Sequence, residues 1–267
     1  MSRGTVEFLC KTIQKLYKNL CFGENNLKRL ITRICSIILI VFSDASDTGL
    51  AAHLTNNEKL KISFRNFTVN EKRNSSTWRE LIAIEFSLKA LLNYLKSKHV
   101  LWKTDNYAAS CIVKRGSRKD VLQVIAENIF KICKENQINL EIQWVPREML
   151  KFADSLSRII DYDDWKTTFV FFNLLNKLWG PFTIDRFADN RNYKVQCFNS
   201  KYHCQNSSGV DAFKFNWQKE NNFLVPPISR IPEVLKHMKL SYAKGVFSDT
   251  ILAFRFSLAF TYWEWYV

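Results

Sequence analysis

The chain has 267 residues, 47% hydrophobic and 24% charged, which is enough apolar material for one or two folded domains. Lys and Arg number 39 against 25 Asp and Glu, and the resulting net charge of +14 favours a polyanionic partner such as nucleic acid. The seven scattered cysteines argue against a secreted disulfide scaffold. With no cleavable leader and no apolar run long enough to span a bilayer, an intracellular, reducing location (cytoplasm or nucleus) is expected, with no membrane partner.

Residues 1–35 mix Lys, Asn, Leu and Cys with only a loose helical period and read as an N-terminal remnant or linker. The texture changes at Ser36. Residues 37–42 read as a buried strand, 49–54 as a second and 60–69 as a third, a meander. A polar stretch, 70–76, leads into a helix whose Leu81, Ile84, Leu88, Leu91 and Leu95 keep a helical period and should face the sheet. Then come a strand at 99–104, a short helix at 107–114, an amphipathic helix at 121–133, a strand at 140–145 and a helix at 152–160. The order βββαβααβα predicts an α/β fold, a mixed five-stranded sheet flanked by helices, over residues 36–160. A smaller C-terminal α/β remnant should follow.

Four carboxylates sit where these elements meet, and each has an ordinary explanation. Asp44, in Ser43-Asp44-Ala45-Ser46, suits a strand end. Glu80 follows Thr77 at the spacing of a capping box, so it can serve a helix start. Asp105 with Asn106 suits an N-cap, and Asp154 suits the first turn of the last helix. All four nevertheless fall at junctions. If the first and fourth strands are central neighbours, Asp44 and Asp105 lie side by side, with Glu80 and Asp154 reaching in from packed helices. Such a cluster is unstable without cations. Its hard oxygen ligands suit Mg²⁺ or Mn²⁺, and two such ions about 3.5 to 4 Å apart can activate water and stabilise the leaving oxygen of a phosphodiester.

Asp44-Ala45-Ser46 with Gly49, Trp78-Arg79-Glu80-Leu81, Thr104-Asp105-Asn106 and Ala153-Asp154-Ser155-Leu156-Ser157-Arg158 occur in this order over about 115 residues. On these motifs the segment resembles the ribonuclease H domains of retrotransposon reverse transcriptases. Trp144-Val145-Pro146-Arg147-Glu148 is similar to the DIRS group, the retroelements that encode a tyrosine recombinase. The resemblance implies that Asp44, Glu80, Asp105 and Asp154 are catalytic metal ligands for two Mg²⁺ or Mn²⁺ ions. The implied reaction is endonucleolytic cutting of the RNA strand of an RNA/DNA hybrid, leaving a 5′-phosphate and a 3′-hydroxyl, with no small-molecule cofactor. Many members carry a His ten residues before the last Asp and an Asn four before it; here these positions are Trp144 and Leu150, which departs from the pattern without touching the metal ligands. Ser46, Asn106, Lys114, Arg115, Arg118 and Lys119 are candidates for contact with the hybrid, although the basic residues equally suit a solvated turn. Two alternatives stay open: a catalytically inactive nucleic-acid-binding module, and a non-functional retroelement fragment.

Downstream, Phe182-Thr183-Ile184-Asp185-Arg186-Phe187-Ala188 with Asn190, then Asp211, Trp217 and Phe223 to Pro227, resembles the phage-type DNA adenine methyltransferase segment of DIRS polyproteins, over residues 165–246. That family has Asn or Asp, Pro, Pro, Tyr or Phe where the target amine is held. Here the stretch is Val225-Pro226-Pro227-Ile228, which offers neither side-chain acceptor nor aromatic face, so a degenerate segment without methyl transfer is expected. Cys197, His203 and Cys204 lack a CxxC pair and a fourth ligand and are not read as a zinc site. Residues 247–267 are aromatic and apolar and are left as an unassigned tail, expected to expose apolar surface.

Overall fold

The computed structural model describes residues 38–56, 59–159, 167–248, 253–256 and 264–266. The N-terminal stretch 1–35 and the acidic residues 161–164 lie outside these. Strands β1 (Ile38–Ala45), β2 (Gly49–Asn56) and β3 (Lys59–Asn66) form the expected antiparallel meander. β4 (His99–Thr104) runs parallel to β1, and β5 (Asn139–Trp144) runs parallel to β4. The sheet order β3-β2-β1-β4-β5 makes β1 the central strand, which explains its near-continuous apolar sequence: Leu39 is 4% exposed and Val41 fully buried. At Gly49 a Cβ would come 2.7 Å from the carbonyl oxygen of Arg65, so no larger residue fits where the β1–β2 turn passes β3.

β3 ends three residues before the expected 69. Thr68 leaves the sheet to cap one helical turn, α1 (Val69–Lys72), and Glu71 returns a hydrogen bond to its backbone. α2 (Ser76–Ala90) and the short α3 (Leu92–Leu95) follow. The predicted stripe Leu81, Ile84, Leu88, Leu91 and Leu95 is buried without exception. These residues join Val41, Leu54, Val100 and Trp102 of the sheet in one core, together with Ile125 and Ile129 of α5 (Asp120–Glu135). Each such side chain stabilises the fold by roughly 1.5 to 3 kcal/mol through burial. The one polar atom of Trp102 is satisfied inside the core, its indole N–H donating to Ser43 Oγ at 2.8 Å. α4 (Tyr107–Arg115) lies between β4 and α5, and α6 (Lys151–Ser157) closes this unit after a tight turn at Arg147–Met149.

A second sheet follows α7 (Phe169–Trp179). Its strands are β6 (Ile184–Asp185), β9 (Asn221–Leu224), β10 (Lys244–Ser248), β11 (Ala253–Phe256) and β12 (Glu264–Tyr266), in the order β12-β11-β10-β9-β6. The first three are mutually parallel and the last two antiparallel. β7 (Asn199–Ser200) and β8 (Gly209–Val210) form a small pair, and α8 (Ile231–Leu240) packs Val234 and Met238 against Trp217, Leu224 and Phe247. On the other face Phe172, Leu175, Phe182, Phe223 and Val246 pack together. Sequence placed a break at 246, but β10 runs through it and the backbone of the supposed tail pairs as β11 and β12. Strand pairing with distant residues has no local signature in so aromatic a stretch.

The two sheets meet along β3. His203 N–H donates to the Ile62 carbonyl at 2.9 Å, Tyr202 packs edge-on to Phe64 at 5.2 Å, and the His203 ring packs against Tyr94 at 5.3 Å. This contact covers what is otherwise an open sheet edge. Burial pushes the His203 imidazole down to about 4, with Lys61 and Lys214 adding to the effect, so it is neutral at the seam.

In the second sheet, Asp185 is 2% exposed. Its Oδ2 accepts the Lys194 N–H at 3.1 Å, and burial raises its carboxyl to about 7. A carboxyl that binds its proton more tightly folded than unfolded stabilises the fold at acid pH, and that contribution is lost as pH rises from about 4 through about 7. Thermal melts are therefore expected to show a loss of stability across this window that Asp185→Asn removes; an unchanged pH profile in the variant would contradict it.

Candidate active site

The parallel register of β1 with β4 places Phe42 beside Lys103, so two residues further on Asp44 and Asp105 emerge side by side at the same edge of the sheet. Glu80 joins them from α2. Its expected capping role is not what the structure shows: the N-cap is Ser75, whose Oγ accepts the Trp78 N–H at 3.3 Å, and Glu80 falls one turn later on the buried face. There its Oε1 accepts the Ala45 N–H at 3.0 Å and its Oε2 accepts the Thr104 hydroxyl at 3.3 Å. Asp44, Glu80 and Asp105 each offer an oxygen within 4.8 Å of the others. Asp44 is 2% and Glu80 4% exposed, whereas Asp105 is half-buried.

Asp154 lies beside this group rather than in it. It is in the first turn of α6, as expected, but it is held by Arg147 and by Arg158, whose Nε and Nη2 donate to it at 3.0 and 2.9 Å. The Arg158 hydrogen bonds, followed by those of Arg147, hold its carboxyl down at about 2. It remains close enough for its charge to act on Asp44 and Asp105. The two arginines were present in the sequence motifs without a role; Arg158, four residues after Asp154, has a spacing that signals the pair, whereas nothing local shows which carboxylate Arg147 faces.

Electrostatics in the group run the other way. Burial, then repulsion from Asp44 and Asp105, raises Glu80 well above the usual carboxylate range. Burial likewise raises Asp44, against a hydrogen bond from Ser157 Oγ at 2.7 Å, and raises Asp105, against the nearby Arg147. The hydrogen-bond donors to Asp44 and Glu80 are all neutral. Three hard oxygen donors on such a site, with negative charge uncompensated by those donors, fit a small divalent cation, which would displace protons and relieve the repulsion.

Ser46 departs from its expected part in substrate contact. It is buried, donates to the Ser157 carbonyl at 2.6 Å and accepts the Thr48 and Gly49 N–H groups at 3.0 and 3.2 Å, so it closes the β1–β2 turn and ties α6 to it. Asn106 caps α4, its Oδ1 accepting the Ala109 N–H at 2.8 Å. Lys114 and Arg115 end α4 and Arg118 and Lys119 follow it, all exposed. The nine residues of α4 set this basic turn about 13 Å from Asp105 along the helix axis. Trp144 donates its indole N–H to the Asp105 carbonyl at 2.9 Å.

Residues 36–129 match the family model described as the RNase H-like domain found in reverse transcriptase. The matched segment contributes β1 to β4 and the helices between them to the mixed five-stranded α/β sheet, which β5 then completes. Among solved structures this part of the chain is similar to the N-terminal RNase H domain of a Mycobacterium tuberculosis protein, at 13% identity and a TM-score of 0.39 over 45% of this chain and 95% of that one. It is also similar to RNase H1 of Halobacterium salinarum, at 14% identity and a TM-score of 0.37 over 45% and 94%. LC11-RNase H1 in complex with an RNA/DNA hybrid shares 18% identity, with a TM-score of 0.33 over 44% and 92%. No curated protein sequence matches the chain.

Glu80 binds its proton more tightly in the fold than in the unfolded chain, so its contribution to stability is present below about 4.5 and is lost as pH rises through its raised value. In EDTA, the melting temperature is expected to fall with rising pH, and Glu80→Gln to raise it at pH 8 by about 2 to 4 °C per kcal/mol of repulsion removed. Adding Mg²⁺ should stabilise the parent and not the variant; equal stabilisation of both would contradict the site.

Proposed function

We propose that the RNase H-like domain is a divalent-metal-dependent ribonuclease that cuts the RNA strand of RNA/DNA hybrids. The observation that carries this reading is the Asp44–Glu80–Asp105 group, two of its members buried, whose close oxygens and raised proton affinities suit a cation. Mg²⁺ or Mn²⁺, two ions in this reading, would supply Lewis acidity and a more acidic water, so that no nucleophilic side chain is needed. Asp44 and Asp105, on adjacent strands, and Glu80, on the buried side, would hold the cations, and Asp154 would join them if it gave up Arg147. Ser157 orients Asp44 through its hydroxyl, and Trp144 braces the backbone at Asp105.

Substrate recognition follows from charge and shape. Asn106 lies at the site and the turn Lys114, Arg115, Arg118 and Lys119 about 13 Å away, so that both can reach phosphates of one duplex without these being neighbours. Hybrid shape and RNA 2′-hydroxyls would supply selectivity. The family match and the Trp144–Glu148 segment support an origin in a retroelement, for which we favour the DIRS type. In the C-terminal part, the parallel β6, β9 and β10 with Val225-Pro226-Pro227-Ile228 after β9 support descent from a methyltransferase-like segment without activity.

The test is cleavage of a labelled RNA/DNA hybrid by the full chain with Mg²⁺ or Mn²⁺. Asp105→Asn should lower the rate by at least about 100-fold, as expected for loss of a metal ligand. Folded protein that binds the hybrid and never cuts it would sink catalysis and leave a binding module. Separately, Arg147→Ala should lower the melting temperature in EDTA, by uncovering Asp154, and should lower the Mg²⁺ concentration needed for half-maximal binding. An unchanged Mg²⁺ requirement would show that Arg147 does not compete with the cation.

A further inference from the structure

A cleft of about 580 Å³ opens between the two sheets beside the seam, with Phe64 and Tyr202 in its wall, and six cationic residues line it: Arg65, Arg186, Arg191, Lys201, Lys214 and Arg230. Several are compensated. Arg65 pairs with Glu71, Arg191 with Asp189, Lys214 with Asp211 and Arg230 with Glu233. Arg186 is different. It is 3% exposed, its Nε donates to Asn222 Oδ1 at 2.7 Å and its Nη1 to Asn199 Oδ1 at 2.8 Å, and its guanidinium stacks over Trp217 at 5.3 Å. It has no carboxylate partner among the described residues.

A buried guanidinium whose direct partners are neutral amide oxygens and an aromatic face carries a desolvation cost, which the more distant charge of Glu220 offsets only in part. Burial accordingly pushes Arg186 down to about 10. Such a group is stabilised by an anion that supplies the missing charge, and a guanidinium fork matches the oxygens of a phosphate. The cleft is far larger than one phosphate, and its walls include the half-buried rings of Phe187 and Phe213, 5.7 Å apart and edge to face, with Arg230 over Phe213 at 5.0 Å. Aromatic faces beside a cationic track are how single strands are held without regard to sequence, bases on rings and phosphates on Lys and Arg.

We propose that this cleft binds single-stranded nucleic acid, with a phosphodiester on Arg186, an adjoining base against Phe187 and Phe213, and the continuing backbone along Lys214 and Arg230. The site is separate from the carboxylate group and does not depend on its activity. It gives the chain a second nucleic-acid surface, formed from both units, beside the one that faces a duplex.

The test is fluorescence anisotropy of a labelled oligothymidylate titrated with the full chain in EDTA, where the carboxylate site is idle. Arg186→Gln and the exposed double change Lys214→Glu with Arg230→Glu should each weaken binding by roughly ten-fold or more, and the double change should lower the salt dependence by about one unit of slope per lost phosphate contact. Lys131→Glu with Lys134→Glu, an equal change in charge on the exposed face of α5, should leave affinity within about two-fold. Unchanged affinity in the cleft variants, with cooperative melting retained, would overturn the proposal, and so would an equal loss in the α5 control. If Arg186→Gln does not fold, the exposed pair decides alone. Thymidine monophosphate binding as tightly as the oligonucleotide would overturn the assignment to a strand.

Discussion

Three carboxylates within 4.8 Å of one another repel, and the structure around them has to hold them there. Parallel pairing of β1 with β4 does most of this, because the same register that buries Val41 and Trp102 side by side also delivers Asp44 and Asp105 to one edge. α2 supplies the third member from a face otherwise built of Leu81, Ile84 and Leu88. The repulsion is offset by the apolar core behind it, where every one of these large side chains is fully buried. A site that is costly when empty of cations is a site with affinity for them.

Around this centre, several polar residues act on the site through others. Ser157 donates to Asp44 while its carbonyl accepts from Ser46 and Thr48, so the end of α6 and the β1–β2 turn are tied into one unit. Arg147 and Arg158 neutralise Asp154 at the rim. The result is a gradient: Arg147 reaches Asp44 and Asp105 only by its charge, whereas Asp154 at the rim is hydrogen-bonded by two arginines.

The second sheet contributes in a different way. It covers the edge of β3 through His203 and Tyr202, and in doing so it creates a cleft whose walls come from both units. Arg186 inside it is held by Asn199 and Asn222, two neutral partners that fix its direction without cancelling its charge. Leu224, Val234, Met238 and Phe247 pack as the core of this part of the chain. Among the described residues no helix is long and apolar enough to cross a membrane.

Much of the first sheet was legible because periodicity is a local property: the alternation of the meander, the buried run of β1 and the helical stripe from Leu81 to Leu95 can all be read without knowing what they touch. The same holds for the carboxylates at element ends, since strand ends and helix starts announce themselves. What sequence by itself did not determine depends on residues far apart in the chain. Glu80 read as a cap because Thr77 lies three residues before it, yet the helix starts at Ser75 and turns Glu80 inward. Ser46 read as a substrate contact, yet Ser157, 111 residues away, claims its hydroxyl. The pairing of Asp154 with Arg147, the strands beyond residue 246 and the buried charge of Arg186 were decided by tertiary structure alone, because electrostatic compensation and strand pairing are set by distance in space, which sequence spacing does not report.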